Sequence, residues 1–235
     1  MTKAIFFDVD DTLYDHLIPF QKAVKPYVSH MGSFPYEEAY HRMRYYSDKI
    51  SVELGGAGQM EQGSATEAMK RDRFQFALND YGVEIDAVQA EQIQKTYFEC
   101  QFDIELFPNA RELIVELQQR GFIVGVLTNG AAAHQWRKIK ALQIDQLIPL
   151  ERIFVSGSYE WDKPDIRIFH YINEQTGTLP EQCTYVGDSW RNDVIGSTSA
   201  GWNMIWFNHR KLERESNITL HGEVDNFEKL KYSIL

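Results

Sequence analysis

Ala4-Ile5-Phe6-Phe7-Asp8-Val9-Asp10-Asp11-Thr12 is an apolar run that breaks off into a cluster of acids. The run over 4–9 has the make-up of a strand buried on both faces, as in a parallel sheet. Asp8 and Asp10 are two residues apart, and an extended chain points such a pair the same way. Like charges held that close need a cation, a shared proton or a chemical task, and Mg2+ favours a few carboxylates completed by water and phosphate oxygens. An acidic turn would carry the same letters, because Asp and Thr are common turn and cap residues.

Downstream of this strand the periodicity changes. Residues 19–31, 35–54, 64–82 and 86–103 place apolar side chains at helical spacing, and Ser64-Ala65-Thr66-Glu67 has the form of a capping box. The glycine-rich stretch 55–63 between the second and third segments reads as loop. After Phe107-Pro108 the pattern becomes regular, with helices over 109–120, 131–142, 164–176 and 190–200 and strands over 122–128, 152–155, 183–187 and 202–207. Strands alternating with helices imply right-handed βαβ units. The fold class is therefore α/β, a parallel sheet with an inserted α-helical domain. The expected division is a core of 1–16 and 104–235 and an insertion of 17–103.

In open α/β sheets ligands bind at the carboxyl ends of the strands. The second strand ends in Thr128-Asn129-Gly130, a hydroxyl followed by main-chain N–H groups where a helix starts, which suits an anion. An ordinary loop and cap would look alike. After the third strand, Lys163-Pro164-Asp165 puts a lysine at a helix mouth, with Pro164 suited to the first helical position. The fourth strand runs into Gly187-Asp188 and on to Asp193. Each signal alone is weak, but an Asp pair, a Thr, a Lys and a second Asp pair all follow different strands of one sheet.

Taken together, Asp8-Val9-Asp10-Asp11-Thr12, Thr128, Lys163 and Gly187-Asp188 with Asp193 resemble the four ordered motifs of the haloacid dehalogenase-like (HAD) superfamily, and the helical insertion is similar to the cap of its first subfamily. The resemblance implies a Rossmann-like doubly wound parallel sheet as the core, and a phosphatase with Mg2+ as cofactor. Asp8 would be the nucleophile that forms an aspartyl-phosphate, and Asp10 the general acid and base. Asp8, Asp188 and the Asp10 main-chain carbonyl would hold the metal, Thr128 and Asn129 with Lys163 would bind the phosphoryl oxygens, and Asp193 would support the metal or Lys163. Dehalogenating members generally lack the second Asp, so Asp10 argues for phosphoryl transfer. Trp161 and Trp190 depart from the commonest pattern, and packing is the expected role of each. By the same resemblance the cap closes over the leaving group, so specificity is expected in stretch 55–63 and its flanking helices. Arg42, Arg44, Tyr45, Tyr46, Lys70 and Arg71 stand on those helices, where solvated surface or packing is the usual fate of such residues.

The expected substrate is a small phosphometabolite of the nucleoside monophosphate or sugar phosphate type. A sugar phosphomutase would use the same core, and a silent phosphate-ligand binder would have to keep every reactive residue unused. A signalling receiver domain also combines Asp, Mg2+, Thr and Lys, but it places its phosphorylated Asp after a later strand and has no large helical insertion. Composition narrows the field further. The 235 residues carry 24 Lys and Arg against 34 Asp and Glu, a formal charge of −10, which disfavours nucleic acid and anionic membranes as partners. The absence of an apolar signal core or long apolar run, with Cys100 and Cys183 read as free buried thiols, predicts a cytoplasmic protein. Oligomeric state is not legible. His209, behind the last core strand, is expected at the surface or in packing and is assigned no role.

Overall fold

The computed structural model describes residues 3–53 and 64–235. The chain forms two compact units, Met1–Asp15 with Glu105–Leu235, and His16–Ile104. The expected loop at 55–63 lies outside the described residues.

The first unit is a parallel sheet of six strands: β1 (Ala4–Phe7), β2 (Ile123–Thr128), β3 (Ile153–Val155), β4 (Cys183–Gly187), β5 (Asn203–Phe207) and β6 (Gly222–Val224), in the order β3-β2-β1-β4-β5-β6. This is the doubly wound order, with its switch point beside β1, the place where such sheets bind ligands. Phe7 pairs with Val126 on one side and Val186 on the other, so Asp8, Leu127 and Gly187 stand at one level. All four residues of β1 are buried. On one face Phe6, Phe154, Phe169, Tyr185 and Trp202 pack together. Gly125 in β2 makes room for this packing, because a Cβ there would stand 2.2 Å from the Phe6 ring and 2.7 Å from the Arg152 carbonyl.

Two elements escaped the periodicity. The strand β6 has three residues, too few to alternate visibly, and the helix over Phe227–Ile234 spans eight. That helix is capped by Asn226, which accepts the Lys229 N–H at 2.9 Å, and its Phe227 stacks on Phe7 with centroids 6.3 Å apart.

Among the described residues the second unit contains four helices, α1 (Leu17–Val28), α2 (Tyr36–Glu53), α3 (Ser64–Asn79) and α4 (Ala87–Cys100). Their shared core includes Phe20, Tyr40, Phe74, Ile93 and Tyr97. Asp86 caps α4 through a reciprocal capping box with Gln89. The third helix stops short of the expected residue 82 because Gly82 turns with φ +72°. Cys183 is buried as expected, whereas Cys100, on the last turn of α4, is only half-buried. Among the described residues no helix is long and apolar enough to cross a membrane.

Candidate active site

Asp8 follows β1 directly and donates its main-chain N–H to the Val186 carbonyl at 2.9 Å, which extends the sheet by one residue. Its side chain meets the Lys163 ammonium, which donates to Asp8 Oδ1 at 2.8 Å, to Asp193 Oδ1 at 2.7 Å and to the Tyr185 hydroxyl at 2.7 Å. Lys163 is 4% exposed, so its three protons are spent on three buried acceptors. Burial alone would lower its pKa, but the Asp193 and Asp8 carboxylates outweigh that and hold it above the ordinary lysine value. Burial, joined by the Asp193, Asp8 and Asp188 charges, keeps the Tyr185 hydroxyl well above its usual range. It therefore stays protonated and donates to the Leu127 carbonyl at 2.6 Å.

Lys163 owes its place to Asn129. The Asn129 carboxamide donates to the Lys163 carbonyl at 2.8 Å and accepts the Lys163 N–H at 2.9 Å. The side chain of Asn129 thus joins the loop after β2 to the loop after β3 and leaves only its main chain for an anion. Pro164 does not open the next helix. That helix covers Ile166–Thr176 and is capped by Asp165, whose carboxylate accepts the Arg167 N–H at 2.9 Å and serves as cap better than proline's fixed φ serves the first turn.

The expected helix at 190–200 begins with a wide turn, a π-helix over Trp190–Val194, before α-helical residues Ile195–Ser199. The Ser189 carbonyl accepts both the Asp193 N–H at 2.9 Å and the Val194 N–H at 3.1 Å. This bulge turns Asp193 inward, where its second oxygen accepts the Ser189 N–H at 2.9 Å. A Cβ on Gly187 would fall 2.3 Å from that oxygen, so only glycine fits before Asp188.

Asp8, Asp188 and Asp193 bring carboxylate oxygens within 4.8 Å of one another. A set of hard, anionic oxygens suits Mg2+ rather than a softer metal. Burial, with the neighbouring Asp193 and Asp10 charges, outweighs Lys163 and pushes Asp8 up to about 7, a conflict that a cation between the carboxylates would relieve. Both Asp193 oxygens already accept protein donors, so Asp8 and Asp188 are the better metal ligands and Asp193 their support.

Asp10 is held differently. Lys138 donates to its two oxygens at 2.8 and 2.9 Å, Tyr14 to Oδ1 at 2.5 Å and Gln135 to Oδ2 at 3.2 Å. Gln135 also donates to the Thr128 hydroxyl at 2.6 Å. Gln135 and Lys138 stand on the helix Ala132–Ala141 and point to the same side, one turn apart. Asp11 takes the left-handed conformation, φ +59°, and its carboxylate accepts from Arg210 at 2.7 Å. Sequence reasoning missed Tyr14, Gln135, Lys138, Tyr185 and Arg210. The only available signal was a buried-type spacing of polar residues, Gln135 and Lys138, in line with apolar Ile139.

The remaining expectations concern packing. Trp190 is buried edge-on against Trp206 at 4.8 Å, and Arg167 covers Trp161. His209 packs between the rings of Phe107 and Phe207. In the helical unit Arg42 binds Asp80, Arg44 the Tyr40 hydroxyl, Lys70 Glu67, and Arg71 Asp72.

Residues 5–207 match the model of the haloacid dehalogenase-like hydrolases. The chain belongs to that family. It is 30% identical over 220 residues to the glyceraldehyde 3-phosphate phosphatase of Methanothermobacter thermautotrophicus, covering 92% of this chain and 89% of the relative. Among solved structures, the putative HAD-hydrolase YfnB of Bacillus subtilis, bound to magnesium, superposes with a TM-score of 0.71 at 23% identity, over 98% of this chain and 97% of that one. A dehalogenase superposes with a TM-score of 0.75 at 20% identity, over 97% and 95%. At these identities the two structures establish the HAD fold. With curated relatives that are phosphatases, the enzyme class is that of a phosphoric monoester hydrolase.

Proposed function

We propose that this HAD-family enzyme is a Mg2+-dependent phosphomonoester hydrolase that works through an aspartyl-phosphate on a small phosphometabolite, of the sugar phosphate or nucleoside monophosphate type. The observation that carries the reading is the buried Lys163 ammonium between Asp8 and Asp193, with Asp188 beside them. The glyceraldehyde 3-phosphate phosphatase relative supports the sugar phosphate class in particular.

In this reading Asp8 and Asp188, with the Asp10 main-chain carbonyl, hold Mg2+, which when bound offsets the charge of the phosphate dianion. The Asp8 carboxylate attacks phosphorus and the ester P–O bond breaks, leaving an acyl phosphate on Asp8. Asp10, entering this step as the carboxylic acid once the Lys138 ammonium moves off it, gives its proton to the departing oxygen. It then takes one from the water that attacks the phosphoryl group, so inorganic phosphate leaves and both carboxyls return to their starting states. Thr128 and the main-chain N–H of Asn129 hold the phosphoryl oxygens, and Lys163, whose protons are engaged by Asp8, Tyr185 and Asp193, adds its positive charge beside them. Asp193, Tyr185 and the Asn129 side chain keep Lys163 aimed.

The test is phosphate release with Mg2+ from a panel of sugar phosphates, nucleotides and small phosphoacids, with Asp8→Asn run beside the wild type. Release by the wild type alone is expected. Equal release by both would mean another protein or another nucleophile, and release only after a trace of sugar bisphosphate would mean a phosphomutase.

A further inference from the structure

Gln135 carries a role that its residue type does not announce. It is 2% exposed, in a position where an unpaired carboxamide would be costly. Its nitrogen donates to Thr128 Oγ1 at 2.6 Å and to Asp10 Oδ2 at 3.2 Å, and a carboxamide nitrogen has two hydrogens, one for each. A threonine hydroxyl has one proton and two lone pairs. Once Gln135 fills a lone pair, the proton must point to some other acceptor. The stem of Gln135 is confined as well. A Cβ on Gly130, whose φ is +136°, would come within 3.1 Å of Gln135 Cγ, and the Gly130 carbonyl is held by the Gly157 N–H at 3.1 Å.

We propose that Gln135 is a positioning residue for phosphoryl transfer. It turns the Thr128 proton toward the phosphoryl oxygen and, through the same amide, spaces Asp10 beside it. This rests on the phosphomonoesterase reading of the site. Gln135 acts through Thr128 and Asp10, and so differs from the groups that meet the substrate themselves.

Two substitutions separate orientation from mere packing. Gln135→Met keeps the volume and removes both donors. Gln135→Glu keeps the shape but reverses the bond, so that the Thr128 proton turns to the new carboxylate and away from the substrate. Measured on the best substrate of the wild type, Gln135→Met should lower kcat/KM by roughly tenfold to a hundredfold. Gln135→Glu should lower it further, because its carboxylate draws the Thr128 proton and also faces the Asp10 carboxylate. In a Thr128→Val background, which has no hydroxyl to orient, the loss from Gln135→Met should shrink by at least about threefold, the non-additivity expected of residues in direct contact.

Thermal unfolding of each variant shows whether it is folded, and Gln135→Glu carries the test should Gln135→Met not fold. Retention of kcat/KM within about twofold in both variants, or an equal loss with and without Thr128→Val, would overturn the proposal. A wild type that releases no phosphate, or an Asp8→Asn variant as active as the wild type, would instead overturn the underlying reading, and is recognised without any Gln135 variant.

Discussion

Asp8 and Asp10 are the same residue type two positions apart, and their surroundings divide the work between them. Asp8 faces a buried lysine and two further carboxylates, whereas Asp10 is held by Lys138, Tyr14 and Gln135 on the other side of the loop. Removing proton transfer while keeping shape is therefore a clean test. Asp10→Asn should reduce phosphate release by about a hundredfold to ten-thousandfold, read from steady-state kinetics, and near-normal turnover would cancel the acid–base role. Gly187 makes a second prediction at this scale. Its substitution by Ala would drive a methyl group into the Asp193 carboxylate at 2.3 Å. Denaturant unfolding should register a loss of about 1–3 kcal/mol, with activity falling as Asp193 releases Lys163.

At the scale of elements, the site is assembled from strand ends that are distant in the chain. Lys163 reaches Asp8 across 155 positions and Lys138 reaches Asp10 across 128. The wide turn at Trp190–Val194 illustrates how an element's irregularity serves the site, since it brings Asp193 back toward Ser189 and Lys163 together. The C-terminal helix has a structural task instead. Phe227 is buried against Phe7 and Phe207, directly beneath the strand that carries Asp8. Phe227→Ala should cost about 3–5 kcal/mol of core stability in denaturant unfolding. An unchanged midpoint would mean that the helix does not belong to the cooperative unit.

At the scale of the whole molecule, burial of Asp8 near Asp193 and Asp10 disfavours its charged form despite Lys163, a cost that a bound cation would relieve. Mg2+ at about a hundredfold over its dissociation constant should stabilise the fold by about 2.7 kcal/mol. Thermal unfolding with and without EDTA measures this, and Asp188→Asn should abolish most of the shift along with phosphate release. A melting temperature indifferent to Mg2+ in the wild type would exclude the metal from this site.

Much of this architecture was legible beforehand, for a physical reason. Strands buried on both faces must be nearly all apolar, as Ala4-Ile5-Phe6-Phe7 is, and helices packed on them must show a period near 3.6 residues, so solvent exclusion writes the α/β pattern into the chain itself. Parallel topology then directs attention to the strand ends, where Asp8, Thr128, Lys163 and Asp188 stand. Short or irregular elements left no such mark. The three residues of β6 are too few for a period, and the wide turn at 190–194 reads as ordinary helix. Gln135, Lys138 and Tyr185 are unremarkable as letters. The spacing of Gln135 and Lys138 with Ile139 hints at burial, but the roles of all three arise from contacts with partners 7 to 128 residues away, which spacing does not reveal. The sequence by itself determined which elements form and which reactive groups end the strands, because both follow from local burial and periodicity. The tertiary structure alone decided how those groups are aimed and which neutral or charged neighbours hold them, because that depends on side chains meeting across the sheet.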